Sequence, residues 1–194
     1  LYPPEPRISP YKGLSITLKL PEAKIIKEES SPLSLIDVVE APSIRCAPGL
    51  SLAYKGKIPP QIAIFLDADS LTPITNFQND ISNLRYLDYR TCALPYHLLN
   101  EPHVLIIGAG GGSEVLSALY HRAPYIEAIE VNPQIVKLVK EEYGDFSNHI
   151  YSLPEVHVRV AEGRGFIEST SGNFDLIQIT LLDSFAASSA GVYT

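Results

Sequence analysis

The sequence predicts an α/β protein in which a small β-rich region precedes a parallel sheet. Two observations carry this prediction. Thirteen of the 16 prolines fall at or before Pro102, and from residue 103 onward apolar strand-like runs alternate with helix-like patterns. Strands that are apolar throughout and separated by amphipathic helices are typical of a parallel sheet covered on both faces.

The first 80 residues are predicted to form an N-terminal β-rich domain. Pro, Gly and Ser bound four short apolar runs, which we expect to pair as a small antiparallel sheet. These runs lie at residues 23–30, 33–41, 49–56 and 61–69. The segment 11–20 fits either a strand or one or two helical turns.

A linking helix is expected over residues 81–102, because Ile81, Leu84 and Leu87 recur near helical spacing. Residues 103–194 are predicted to form the α/β domain. Its strand-like runs read HVLIIG, YIEAIEV, VHVRVAE and FDLIQIT, and its helices are predicted to begin near Ser113, Asn132 and Gly163. Asn132 followed by a proline is a good helix start, since Asn can cap and Pro fits the first turn.

Composition limits the function. The chain has 194 residues and a formal charge of −7, and its 15 Lys and Arg form no basic run. This balance argues against nucleic-acid partners and favours a small or cationic ligand. The two cysteines and five histidines show no ligand spacing, so neither a metal site nor a disulfide is predicted. With no signal peptide or membrane-length apolar run, a cytoplasmic location is expected.

Four strands before Thr194 are few for an open α/β sheet. The last strand would leave an apolar edge that invites pairing with another chain. We therefore expect that the parent protein continues beyond this C-terminus, or that the chain forms a homo-oligomer or swaps an element. A second expectation for the location is that the chain is the soluble domain of a larger membrane protein.

A glycine-rich turn follows the first strand of the α/β domain, in the sequence VLIIGAGGGSEVLSAL. Gly108, Gly110 and Gly112 on such a turn allow the backbone to approach a ligand, and the start of the next helix offers amide donors. The dinucleotide fingerprint GxGxxG would place its third glycine at Ser113, which opposes an NAD-dependent oxidoreductase. A tight turn without any ligand is the alternative.

Carboxylates follow the next two strands. Glu130 ends the second strand, where a carboxylate can accept both hydroxyls of a ribose. Glu162 and the adjacent Gly163 follow the third strand at the same edge of the sheet, where Glu162 could accept from an adenine amino group. Together with the loop, these residues predict an adenosine site. For each carboxylate, a solvated strand end is the alternative.

The order of VLIIGAGGG, IEAIEVNP, VHVRVAEGRGF and FDLIQITLLDS resembles the polyamine aminopropyltransferases, the spermidine synthase family. The resemblance covers roughly residues 60–185. It implies a Rossmann-like parallel sheet of the S-adenosylmethionine-dependent methyltransferase type, apparently truncated. It also implies a nucleoside donor, decarboxylated S-adenosylmethionine or S-adenosylmethionine itself, and transfer of an aminopropyl group to a polyamine.

The sequence departs from that family at the positions nearest the chemistry. The loop aspartate of the family falls on Gly111, and the Tyr-Gln pair before the core falls on Leu87 and Asp88. After the fourth strand the family carries a DSSD motif, and its first Asp is the general base that the resemblance implies. That first position falls on Thr180 in this sequence. The second Asp is matched by Asp183, which the resemblance makes the candidate base or amine anchor. An aspartate in a turn after the strand, capping SFAASS, is the alternative.

Three interpretations follow. The first is a spermidine synthase-like transferase, with a sister version that transfers a methyl group. The second is a catalytically degenerate module that keeps the adenosyl pocket, which Gly111 and Thr180 favour. The third, an NAD-dependent enzyme, is opposed by Ser113 and by the second carboxylate at Glu162.

Overall fold

Two four-stranded sheets organise residues 8–179, the part of the chain that the computed structural model describes. The first sheet is antiparallel with strand order β1-β2-β3-β4, as predicted for the N-terminal region. After helix α1 (Gly13–Thr17), its strands are β1 (Lys24–Ser30), β2 (Leu35–Glu40), β3 (Gln61–Leu66) and β4 (Ser70–Thr75). The prediction of a strand at 49–56 is wrong, because the pairing of that segment with the rest of residues 8–179 is a single isolated bridge, between Leu50 and Arg90.

The predicted linking helix is broken into shorter pieces. A 3-10 helix spans Ile81–Tyr89, a second one spans Thr91–Ala93, and helix α2 spans Leu94–Leu98. Arg90, between the two 3-10 helices, is extended with φ −84° and ψ 151°. This conformation places its side chain on the buried carboxylate of Glu114, at 2.7 Å, so a tertiary ion pair overrides the local helical pattern.

The second sheet is parallel, with strand order β7-β6-β5-β8. Its elements are β5 (His103–Ile107), α3 (Ser113–Tyr120), β6 (Tyr125–Glu130), α4 (Pro133–Lys137) with a π-helical extension (Leu138–Glu142), a 3-10 turn (Ile150–Ser152), β7 (Val156–Val160), α5 (Gly163–Ser169) and β8 (Leu176–Ile179). The three helix starts fall where the sequence predicts them, so the α/β fold class is confirmed.

The order of this second sheet fixes where a ligand can bind. The chain moves outward from β5 to β6 and β7 and then returns to the other side of β5 at β8. Such a reversal opens a crevice at the carboxyl ends of the strands. The glycine loop follows β5, Glu130 is the last residue of β6, and Glu162 follows β7. All three therefore lie at this edge.

One large core joins the two sheets. Ile64 and Ile74 of the first sheet share it with Ile106 and Ile126 of the second, and all four side chains are fully buried. A smaller cluster, which includes Phe65, lies on the other face of the antiparallel sheet. Because the sheets share a core, β4 is held against the loop after β5. Among the helices of residues 8–179, none has the length and apolar character of a membrane span.

Candidate functional site

The glycine loop connects β5 to α3 through left-handed backbone. Gly108, Gly110 and Gly112 have φ values of 84°, 52° and 93°, a region that residues with a side chain rarely adopt. A Cβ added at Gly108 would meet no atom of the described residues within 4 Å, whereas at Gly112 it would lie 2.3 Å from Ile150 Cδ1. The loop is thus packed on one side and open to an approaching ligand at Gly108.

The amides of this loop already have acceptors within the chain. Gly108 N and Ala109 N both donate to the Ile129 carbonyl, at 2.9 and 3.0 Å, and Gly112 N donates to the Ala109 carbonyl at 2.9 Å. The other two loop amides donate to the side chains of Glu130 and Thr72. From Gly108 to Gly112 the loop therefore offers a ligand space and a neighbouring carboxylate rather than spare amide donors.

Glu130 is the buried charge of this edge. Its side chain is only 6% exposed, Oε2 accepts from Gly110 N at 2.9 Å, and Oε1 accepts from Asn132 N at 2.9 Å. Burial raises the pKa of Glu130, while the bonds from Asn132 and Gly110 act in the opposite direction. A carboxylate oxygen has a second lone pair, so Glu130 can still accept a ligand hydroxyl on each oxygen.

Glu162 has a local role that the sequence interpretation did not include. It is exposed and caps helix α5, accepting from Arg164 N at 2.9 Å and Gly165 N at 2.8 Å. These backbone bonds lower the pKa of Glu162. The carboxylate is therefore ionised and fixed at the sheet edge, where its remaining lone pairs are available to a ligand amino group.

Gly163 lies beside the end of β5. A Cβ at Gly163 would lie 2.7 Å from Ile107 Cγ2, so the backbone here approaches the strand closely. In the same region Ala161 N donates to the Glu130 carbonyl at 3.1 Å. The structure therefore brings the segments after β5, β6 and β7 together, as the sequence predicts.

Two further segments hold the loop, and the sequence interpretation missed both. Thr72 of β4 accepts from Gly111 N through its Oγ1 at 2.7 Å, and the Tyr151 hydroxyl donates to the Gly110 carbonyl at 2.7 Å. Burial raises the pKa of Tyr151, so its hydroxyl stays a donor. Neither residue lies in a recognisable motif, because both reach the loop only through the packing of the two sheets.

A buried polar network lies behind the loop. Glu114, in the first turn of α3, accepts from Arg90 at 2.7 Å and from Gln178 Nε2 of β8 at 2.9 Å. Gln178 in turn accepts from the Tyr96 hydroxyl at 2.7 Å. The network links α3 with β8 and with the segment before β5, so it fixes the helix that follows the glycine loop.

A separate cleft of about 210 Å³ lies beside the start of β1 and the end of β2, lined by residues that include Lys24, Glu40 and Phe146. It does not contain the glycine loop. Small-molecule sites usually measure roughly 300–1,000 Å³, so this cleft is not a competing site for a nucleoside.

No protein-family model matches the chain. Curated relatives are polyamine aminopropyltransferases. The relative from Sulfurisphaera tokodaii is 25% identical over 163 residues, covering 82% of this chain and 46% of the relative. The relative from Korarchaeum cryptofilum is 24% identical over 102 residues, 52% of this chain and 32% of the relative. The relative from Buchnera aphidicola is 30% identical over 83 residues, which cover 42% of this chain and 29% of the relative.

Two solved spermidine synthases share the fold. The enzyme from Thermotoga maritima gives a TM-score of 0.57 at 20% identity, covering 82% of this chain and 47% of that one. A spermidine synthase in complex with the transition-state analogue AdoDATO gives a TM-score of 0.54 at 20% identity, covering 80% of this chain and 46% of that one. The chain is therefore similar in sequence to polyamine aminopropyltransferases and shares the fold of the two spermidine synthases. It spans less than half the length of these relatives.

This relationship makes the departures from the family informative. At Gly111, where the family has a loop aspartate, a Cβ would lie 2.3 Å from the carbonyl oxygen of Pro73. The backbone of β4 therefore fills the space that a side chain would need. The absence of a side chain at position 111 therefore allows β4 to pack directly against the glycine loop.

The two positions aligned with the family's Tyr-Gln pair do not lie at the sheet edge. Leu87 is fully buried in the core, and Asp88 contacts His97 and His121, beyond the C-terminal end of α3. The glycine loop lies at the other end of that helix. Thr180 and Asp183 lie outside the described residues.

Proposed function

We propose that this chain belongs to a spermidine synthase-like transferase that binds an adenosyl sulfonium donor and transfers its aminopropyl group to a polyamine. Residues 103–194 form the nucleoside-binding domain of this proposal. One observation carries it. Glu130 is a buried carboxylate that bonds the glycine loop and the start of α4, at the edge where relatives of this fold bind nucleosides.

The donor can be oriented from the described residues. Its ribose hydroxyls would be accepted by Glu130, and its adenine amino group by Glu162 beside Gly163. The sulfonium end would then lie over Gly108, where the backbone leaves open space. A buried carboxylate next to the loop favours a cationic sulfonium by direct charge attraction.

Decarboxylated S-adenosylmethionine is the preferred donor in this proposal. The curated relatives are named polyamine aminopropyltransferases, and one structural neighbour holds a transition-state analogue of spermidine synthase. The loop amides from Gly108 to Gly112 are already used within the chain, so they do not favour the extra carboxylate of S-adenosylmethionine.

The reaction is a displacement. The neutral amine nitrogen of the polyamine attacks the aminopropyl carbon next to the sulfonium, and the carbon–sulfur bond breaks. Its electron pair passes to sulfur, so methylthioadenosine leaves, and the amine proton passes to a base. Asp183 is the candidate for this base or for anchoring the amine.

A second candidate function is a binding module that has lost catalysis. It is favoured by Gly111, because the backbone of Pro73 leaves no room for the carboxylate that the family has at this position. In this alternative the adenosyl site remains and the donor is bound without transfer. A methyltransferase using S-adenosylmethionine would keep the same site.

Calorimetric titration tests the proposal. The chain is titrated with decarboxylated S-adenosylmethionine, S-adenosylmethionine, methylthioadenosine and NAD, and Glu130→Ala is titrated in parallel. We expect the decarboxylated donor to bind most tightly. Glu130→Ala should bind every adenosyl ligand more weakly, because all of them contain the ribose that Glu130 is proposed to bind. Preference for intact S-adenosylmethionine would favour methyl transfer or sensing, and absence of binding to any adenosyl ligand would refute the site.

Incubation with the decarboxylated donor and putrescine then separates transfer from binding alone. Release of methylthioadenosine together with an aminopropylated putrescine supports the transferase. Tight donor binding without either product supports the binding module. Asp183→Asn is the matched variant, since it should retain donor binding and lose product formation.

A further inference from the structure

Three side chains meet at the end of α3 that is farther from the glycine loop. They are Asp88 in the 3-10 helix Ile81–Tyr89, His97 in α2, and His121 just after α3. Their ligand atoms all lie within 4.8 Å of one another. His97 Nε2 is 2.8 Å from Asp88 Oδ1, and His121 Nε2 is 3.8 Å from the same oxygen.

The buried ring nitrogen of His121 is the feature of this group that the fold does not explain. The side chain of His121 is only 10% exposed, and its Nε2 is buried without a hydrogen-bond partner among residues 8–179. Buried polar atoms are nearly always paired, so an unpaired one points to a missing partner. At 3.8 Å from Asp88 Oδ1, the nitrogen is too far for a hydrogen bond but faces the carboxylate.

Aromatic packing fixes the ring of His121. Tyr96 stacks on it with ring centroids 4.7 Å apart and an interplanar angle of 7°. His97 and Tyr120 contact it edge-on, at 5.4 and 5.1 Å. The ring therefore needs little further ordering before it binds a ligand, which favours a preorganised site.

We propose that Asp88, His97 and His121 bind a divalent transition metal ion, with Zn²⁺ as the ion that fits best. Two imidazole nitrogens and one carboxylate oxygen suit Zn²⁺, whereas Mg²⁺ and Ca²⁺ prefer oxygen ligands alone. In a tetrahedral zinc site, ligand atoms about 2.0–2.2 Å from the metal lie roughly 3.3 Å apart. The observed separations of 2.8 and 3.8 Å lie on either side of this value.

The remaining coordination position would face solvent. The side chains of His97 and Asp88 are 52% and 33% exposed, so an ion can enter from their side and keep a water ligand. His121 closes the site from the protein interior. This arrangement gives three protein ligands and one exchangeable position.

The position of the site points to a structural role. Eight helical residues of α3 separate it from the glycine loop, a length of about 12 Å at 1.5 Å per residue. A metal here would join the end of α3 to the 3-10 helix and α2, which are neighbouring pieces of the segment before β5. Binding would therefore stabilise the folded chain without requiring the nucleoside donor.

Metal titration of the full chain tests this proposal. After dialysis against a chelator, Zn²⁺ is added in competition with a chromophoric chelator, and Mg²⁺ serves as the comparison ion. We expect one Zn²⁺ per chain, a higher melting temperature with Zn²⁺ than with Mg²⁺, and at least about tenfold weaker binding in His97→Gln and His121→Asn.

His149→Gln is the matched control. His149 also pairs with a carboxylate, Asp145 at 3.0 Å, but the described residues provide no third ligand there. This variant should bind Zn²⁺ like the unmodified chain. His97 is half-exposed, so His97→Gln should fold even if His121→Asn does not. Zn²⁺ binding that is absent, or equal in His97→Gln and His149→Gln, would overturn the proposal.

Discussion

Glu130 Oε2 accepts a 2.9 Å hydrogen bond from the amide of Gly110, a residue twenty positions earlier in the chain. This bond ties the end of β6 to the glycine loop after β5. It also means that the proposed ribose acceptor is positioned before any ligand arrives. Such a carboxylate needs no reorganisation to accept the ligand hydroxyls.

Donor affinity should depend on pH through Glu130. Burial raises the pKa of this carboxyl, and a protonated carboxyl is a poorer acceptor for ribose hydroxyls. As the pH falls, affinity should begin to weaken above the ordinary glutamate pKa of about 4.3. Glu130→Gln should bind weakly at every pH, with a flatter profile. Calorimetry across pH 4 to 8 measures both, at about unit intervals.

The contribution of Glu130 to the free energy of unfolding should depend on pH in the opposite direction to donor affinity. Because the native pKa of Glu130 exceeds its unfolded value, this group favours folding most at low pH, and the benefit is lost as pH rises through the native pKa. Glu130→Gln should therefore gain stability relative to the unmodified chain as pH rises. Equal pH profiles in urea unfolding would contradict this expectation.

Gly111→Ala should destabilise the fold, although it adds a single methyl group. The new Cβ would lie 2.3 Å from the Pro73 carbonyl oxygen, and backbone cannot move aside cheaply. We expect a loss of about 1–3 kcal/mol in the free energy of unfolding. Gly165→Ala is the control, since the one atom of the described residues that its Cβ would meet is Glu162 Oε2, at 3.5 Å. Equal unfolding midpoints for the two variants would contradict the steric argument.

The buried pair of Arg90 and Glu114 should be costly to break from one side. Glu114→Gln would leave the guanidinium uncompensated in the interior, at a cost of about 3–5 kcal/mol. The exposed pair of Lys24 and Glu40 provides the comparison, and Glu40→Gln should change stability by less than about 1 kcal/mol. Urea unfolding of both variants makes the measurement.

Glu162 should combine a structural and a binding role that can be separated. Ser at this position can still cap α5 but cannot reach as far as a glutamate. Glu162→Ser should therefore keep the stability of the chain and lose its preference for methylthioadenosine over methylthioinosine. A preference that persists in the variant would assign Glu162 to capping alone.

Most of the fold could be predicted from periodicity and local signals. The cap at Asn132 is one example, because its side chain accepts from Gln134 N at 3.1 Å as the Asn-Pro pair predicts. The break at Arg90 could not be predicted, since its cause is a partner 24 residues later in the chain. Local helical spacing contains no information about such a partner.

The candidate site divides in the same way. The position of Glu130 could be predicted because it ends a strand, and ligands of open α/β sheets bind at the carboxyl ends of the strands. Thr72 and Tyr151 reach the loop only after the two sheets pack, and no spacing in the sequence relates them to it. The grouping of Asp88, His97 and His121 was likewise hidden, because their spacings in the chain match no metal motif.

The hydrogen bond from Tyr151 to the Gly110 carbonyl gives the loop an optical reporter. The chain contains 11 tyrosines and no tryptophan, so its near-ultraviolet emission arises from tyrosine without a brighter fluorophore to mask it. The emission of the buried Tyr151 phenol should change when loop movement breaks its hydrogen bond to the Gly110 carbonyl. The difference between the unmodified chain and Tyr151→Phe would therefore follow loop motion in real time, without any label.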